Sequence, residues 1–135
     1  MNPDNHPDIE YYTSDQLRGL PFSAAVRVGT MLYLSGQIGI DATGALVPGG
    51  IQAETRQAME NIKAVLEQHG SSLDRVVKAT VMLADINEWA DMNSVYLTYF
   101  SSHLPARSAL GANGLALGAR VEIECIATLD VKNMR

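Results

Sequence analysis

Hydrophobic and polar positions alternate with two distinct periods along this chain, and the change of period marks the elements. From Gln52 to His69 the residues Thr55, Ala58, Met59, Ile62, Val65 and Leu66 recur at steps of three and four, and Gly70 stands where a helix C-cap would. That spacing predicts an amphipathic helix. A second helical stripe, Trp89, Met92, Val95, Tyr96, Tyr99 and Phe100, predicts a helix over 87–102, with Asp85 offered as an N-cap. Between them Val76 to Ala84 is rich in β-branched residues and alternates in its first half, as a half-buried strand does. Ala24 to Val28 and Met31 to Ser35 flank Gly29 and Thr30, a hairpin pattern. The turn-forming residues of 38–50 predict a loop, and the small residues of 108–115 a short strand. Arg120 to Val131 alternates with Val121, Ile123, Cys125, Ala127 and Leu129 on one face. Two helices separated by a strand, with hairpin-like strands at both ends, predict an α+β domain, its helices stacked on one face of the sheet.

The length of 135 residues fits one domain, expected over 9–135, behind a polar, proline-containing tail over 1–8. No stretch reads as a membrane span, and the first residues lack the basic and apolar regions of a secretory signal, so the cytoplasm is the expected compartment. Ten basic residues, scattered singly against fifteen acidic ones, leave a formal charge of −5 and no basic stripe, so nucleic acid is not an expected partner. The single cysteine, Cys125, cannot form an internal disulfide, and its place on the apolar face of the last strand makes it a small hydrophobe.

Candidate chemistry is sparse. The Pro-Gly-Gly at 48–50 lacks the lysine of a phosphate-binding loop, and His6, His69 and His103 stand at no metal-ligand spacing. No cofactor or metal is expected. Ser35 and Ser108 lack the glycine-flanked elbow of a serine hydrolase. The polar face of the last strand carries Glu122 and Glu124, which reads either as a solvated edge or as a site. Arg107, after Pro105 and Ala106, opens the penultimate strand, and if the last two strands are neighbours Arg107 and Glu122 can approach. A guanidinium grips a carboxylate in bidentate fashion, and a half-buried glutamate orders and deprotonates a water. The plainer alternative is that the two neutralise each other.

In order, PFSAAVRVG, LYLSGQIGID, ETRQAMENIKAVLE, VVKATVMLAD, MNSVYLTYF, PARSAL and VEIECIA resemble the Rid family of reactive-intermediate deaminases, also called the YjgF or endoribonuclease L-PSP family, over about Leu20 to Leu129. The resemblance implies a chorismate-mutase-like fold with a mixed sheet. It further implies a homotrimer with clefts between adjacent subunits, and cofactor-independent hydrolysis of enamines and imines, such as 2-aminoacrylate, to 2-keto acids and ammonia. In the family pattern Arg107 binds the substrate carboxylate and Glu122 orders the water. Ser35 and Gly36 of SGQI, Asn93 of the second helix, Phe22 and the backbone at Ala109 match cleft positions. Two departures stand out: the family's Pro-Tyr reads Pro21-Phe22, which removes a hydroxyl, and the residue two after the arginine, often Cys, is Ala109. A ligand-binding or chaperone-like trimeric module is the alternative the missing hydroxyl favours. A ribonuclease, which one family name suggests, is disfavoured by the net charge and the absence of a histidine pair.

Overall fold

A computed structural model describes residues 8–14 and 18–130. Apart from Asp8, the expected tail lies outside the described residues, as does Val131 at the expected end of the last strand. Among the described residues seven strands form one sheet: β1 (Ile9–Tyr12), β2 (Ala25–Val28), β3 (Met31–Leu34), β4 (Gln37–Ile38), β5 (Val76–Leu83), β6 (Ala106–Gly111) and β7 (Val121–Thr128). Helix α1 (Gly50–Gln68) joins β4 to β5, and α2 (Trp89–Tyr96) joins β5 to β6. The strand order is β1-β2-β3-β7-β5-β6, with β4 also paired to β7. Only β5 and β6 run parallel, so the sheet is mixed.

Each element follows from its residues. The β2–β3 turn is the expected two-residue hairpin, with Val28 opposite Met31 and Gly29 at φ 59°, a left-handed conformation that glycine adopts without strain. In α1 the predicted positions Thr55, Ala58, Met59, Ile62 and Leu66 are buried and Val65 packs half-buried against the core, while buried Ile51 and Glu54 extend the stripe towards the helix start. It packs with Met92 and Tyr96 of α2 over Leu32, Val81, Leu83, Val121 and Ile123, all in one core cluster. The last strand alternates as expected, its odd-numbered positions buried from Val121 to Ala127. Burial pushes the Cys125 thiol up to about 12, so it packs as the small hydrophobe expected.

Four features differ from expectation. Residues 9–12 form an edge strand paired with β2, held by a cross-strand Arg27–Glu10 ion pair at 2.8 Å. The expected loop at 38–50 opens on the last residue of β4 and holds an Ile40–Leu46 bridge, its turn organised by Asp41 accepting from Thr43 and Ala45. The second helix is shorter than its stripe. Asp85 caps a 3₁₀ turn by accepting from the Asn87 N–H, α2 ends at Tyr96, and a further 3₁₀ turn covers Leu97–Tyr99. Most important, β6 and β7 are not neighbours. A β5–α2–β6 crossover sets β6 parallel to β5 at the sheet edge, and β7 returns between β3 and β5, so the C-terminal strands form no hairpin.

Candidate functional site

Sheet register decides where each candidate side chain stands. Ala79 of β5 lies opposite Arg107 on one side and Cys125 on the other, and residues opposite one another in a sheet share a face. Arg107 therefore lies on the helix-covered face, in line with buried Cys125. Met82 likewise lies between Leu110 and Glu122, on the face that no helix covers. The two residues are thus on opposite faces, two strands apart and three register positions along. With strands about 4.8 Å apart and about 3.3 Å per residue, that is about 10 Å in each direction. The expected approach of Arg107 to Glu122 within one chain is not found, because it presupposed adjacent strands.

Each residue instead anchors its own cluster. Arg107 Nη1 donates to Asn93 Oδ1 at 2.6 Å. Its guanidinium carbon stands 4.8 Å from the Tyr96 ring centroid and 5.5 Å from that of Trp89. Trp89, Asn93 and Tyr96 follow at steps of four and three, so one stripe of α2 carries all three contacts. Aromatic faces attract a cation and leave its in-plane N–H groups unspent. Among the described residues Arg107 has no ion-pair partner. Ala109 follows on the same face of β6, packed against the core. Periodicity assigns Met92, Tyr96 and Phe100 to packing, and all three lie in the core or packed against it. Trp89, however, is 44% exposed and flanks the guanidinium. The signal that could have found it is the spacing from Trp89 to Asn93, one helical turn.

The second cluster is built on a break in the sheet. β3 and β4 both pair with β7, Tyr33 opposite Ile126 and Gln37 opposite Ile123, so four steps along one strand match three along the other. The extra residue is a β-bulge at Ser35–Gly36, a device that re-aims side chains. Ser35 Oγ donates to the Ser23 carbonyl at 2.5 Å, tying the bulge to the segment that carries Phe22, which is half exposed. A side chain on Gly36 would collide with the Glu122 carboxylate, so glycine here makes room for the glutamate. Ser35, Gly36 and Glu122 thus belong to one neighbourhood, with Phe22 next in sequence to the Ser23 carbonyl that Ser35 grips, and Arg107, Asn93 and Ala109 to another.

Glu122 is half-buried on a face that also carries Tyr33, Leu110 and Ile126, with Tyr33 43% and Leu110 44% exposed. A hollow of about 220 Å³ on that face is lined by Tyr33, Lys78, Thr80, Glu124 and Ile126. A larger cleft, of about 450 Å³, lies between α1 and the segment around Thr13 and Ala24, and contains neither Arg107 nor Glu122. Among the described residues no cluster of His, Cys, Asp and Glu is placed to hold a metal ion, and no helix is long and apolar enough to cross a membrane.

A family model described as Endoribonuclease L-PSP matches residues 16–129, most of the chain. The chain belongs to this family, the Rid or YjgF family. It is 51% identical over 108 residues to 2-iminobutanoate/2-iminopropanoate deaminase of Bos taurus, covering 79% of each chain. To the mouse protein of the same name it is 47% identical over 108 residues, covering 79% of this chain and 80% of that one. A Rid-family structure from Yersinia pestis superposes with TM-score 0.84 at 38% identity, covering 90% of this chain and 100% of that one. RidA from an Antarctic Psychrobacter superposes with TM-score 0.79 at 37% identity, covering 92% and 98%. The two departures expected from the resemblance, Phe22 and Ala109, stand in different parts of the molecule. Phe22 adjoins the bulge, and Ala109 follows Arg107 along β6.

Proposed function

We propose that this protein hydrolyses 2-imino and 2-enamino acids to 2-keto acids and ammonia. In this reading it works in the cytoplasm as a homotrimer of chorismate-mutase-like subunits, with no cofactor. The observation that carries the reading is the Arg107 guanidinium, laid on two aromatic rings, held by Asn93 and lacking an acidic partner among the described residues. A cation prepared in this way suits a substrate carboxylate, which its planar fork can take in bidentate fashion. The relatives named 2-iminobutanoate/2-iminopropanoate deaminase act on substrates that carry one.

The chemistry asks little of the protein. A protonated imine is already electrophilic at C2, so catalysis reduces to orientation, a water and a proton path. An enamine first takes a proton at C3 to become the imine. Glu122 takes a proton from water as its oxygen bonds to C2, giving a carbinolamine. The proton then passes from Glu122 to the nitrogen, the C–N bond breaks as the hydroxyl gives its proton back to the Glu122 carboxylate and becomes the keto oxygen, and the 2-keto acid leaves with ammonia, which carries that proton away as ammonium. Ser35 and the Gly36 backbone border the water position, Phe22 walls the pocket, and Asn93 and the Ala109 backbone help seat the carboxylate.

Arg107 and Glu122 lie on opposite faces of the sheet, so one copy offers two half-sites. This supports a cleft in which Arg107 and Asn93 of one copy meet Phe22, Ser35, Gly36 and Glu122 of the next. The exposed Tyr33 and Leu110 on the uncovered face, beside half-buried Ile126, favour its burial against a second copy. Phe22, without the hydroxyl common in the family, favours a second reading: a ligand-binding module that does not turn over.

Ammonia and keto-acid release from freshly generated 2-aminoacrylate, compared between the intact protein and Arg107→Ala at equal folded concentration, separates the two. Acceleration that disappears in the variant supports hydrolysis. Absence of acceleration by the intact protein, with 2-iminobutanoate as well, leaves the binding module.

A further inference from the structure

Tyr96 is 3% exposed, and its hydroxyl is buried without a hydrogen-bond partner among the described residues. Native proteins rarely leave a buried hydroxyl unpaired, because it has given up water and received nothing in exchange. Its ring does have work to do: it packs on Phe100 at 5.0 Å between centroids and supports the guanidinium of Arg107 at 4.8 Å. A phenylalanine would serve both contacts. The hydroxyl therefore needs a reason of its own, and the nearest rich source of donors is the guanidinium above it. Of that group's five N–H bonds, the one drawn to a side chain is drawn to Asn93.

We propose that Tyr96 is a positioning residue for Arg107: when a carboxylate takes the guanidinium fork, the group settles towards α2 and the Tyr96 hydroxyl accepts one of its N–H bonds. The inference rests on the reading of Arg107 as the carboxylate anchor. It adds that carboxylate binding gives this hydroxyl the partner it lacks among the described residues, so that the ligand gains an interaction made beneath it. Burial keeps the phenol protonated, pushing it up to about 12, although the charge of Arg107 and its N–H groups, near enough to interact with the hydroxyl but not in hydrogen-bond geometry, pull the other way, so the oxygen meets the cation as a neutral acceptor.

The test compares Tyr96→Phe, Tyr96→Leu and Arg107→Ala with the intact protein, using turnover of 2-iminobutanoate and binding of 2-oxobutanoate, a keto acid that keeps the carboxylate. Tyr96→Phe keeps the ring and is expected to raise KM about tenfold and weaken 2-oxobutanoate by the same factor, as loss of one hydrogen bond to a charged group does. Its kcat should hold, and its thermal midpoint without ligand should hold or rise, because the unpaired hydroxyl is gone. Tyr96→Leu, which also removes the ring, should raise KM further. An unchanged KM in Tyr96→Phe, with or without a lowered ligand-free midpoint, overturns the positioning role. If Arg107→Ala binds and turns over normally, the anchor reading fails, and this inference with it. A defective Arg107→Ala beside a normal Tyr96→Phe overturns the positioning role alone.

Discussion

Gly36 and Glu122 compete for one space: the first Cβ that could be added at position 36 falls against the glutamate's carboxylate. The bulge in β3–β4 and the start of β7 are thereby fitted to each other through a residue defined by the side chain it lacks. Glu122 has a flexible side chain, so an alanine at position 36 would move the carboxylate without unfolding the sheet. Gly36→Ala is expected to lower kcat towards the level of Glu122→Gln while leaving far-UV circular dichroism unchanged. Full activity in Gly36→Ala would show that the placement of Glu122 does not matter.

Arg107→Lys should not be a conservative change. Lysine keeps the charge but loses the planar fork and much of the stacking on Tyr96 and Trp89. The expectation is a KM for 2-iminobutanoate raised about 10- to 100-fold, with Asn93→Ala, which removes the 2.6 Å hydrogen bond, falling between Lys and the intact protein. Steady-state kinetics of the three proteins provide the check.

Much of the fold was legible because it is local. The α1 stripe, the β2–β3 turn and the alternation of β7 are decided by neighbours in sequence, and each formed where its spacing placed it. Strand order is not local. Arg107 and Glu122 lie fifteen residues apart in sequence, and only the crossover through α2 reveals that β5 comes between their strands. The Ser35–Gly36 bulge is equally invisible in one strand alone, since it consists of a mismatch between two. Trp89 shows the limit of periodicity. It repeats with the core stripe of α2, yet stands at the rim, where a helical face turns from packing to display.

Glu54 links the helix layer to the strand that carries Glu122. Its carboxylate is buried, and its Oε1 accepts the Arg120 backbone N–H at 2.8 Å, next to the start of β7. Glu54→Ala leaves that N–H without its partner and should cost about 1–3 kcal/mol of stability, whereas Glu54→Gln keeps an acceptor and should cost less. Urea unfolding of the two variants tests the order.

His69 predicts a pH dependence of stability. It stacks on Tyr12 at 4.1 Å between ring centroids, and burial lowers its pKa below the ordinary 6.5. Between that lowered value and 6.5 the unfolded chain binds more protons than the folded one, so stability falls as pH drops below 6.5. His69→Phe keeps a ring on Tyr12 and removes the titration. Its urea midpoint should change less between pH 7.5 and about pH 5.5 than that of the intact protein. Equal slopes in the two proteins would contradict this assignment.

In the proposed homotrimer a working site takes Arg107 from one copy and Glu122 from another. Arg107→Ala and Glu122→Gln should each be inactive alone, and a trimer assembled from both retains some clefts with an intact arginine facing an intact glutamate. Random one-to-one mixing, by co-expression or by joint refolding, should restore about one quarter of the intact protein's deaminase activity. A mixture as inactive as its two components would contradict the account, for it would mean that each copy needs both residues to itself.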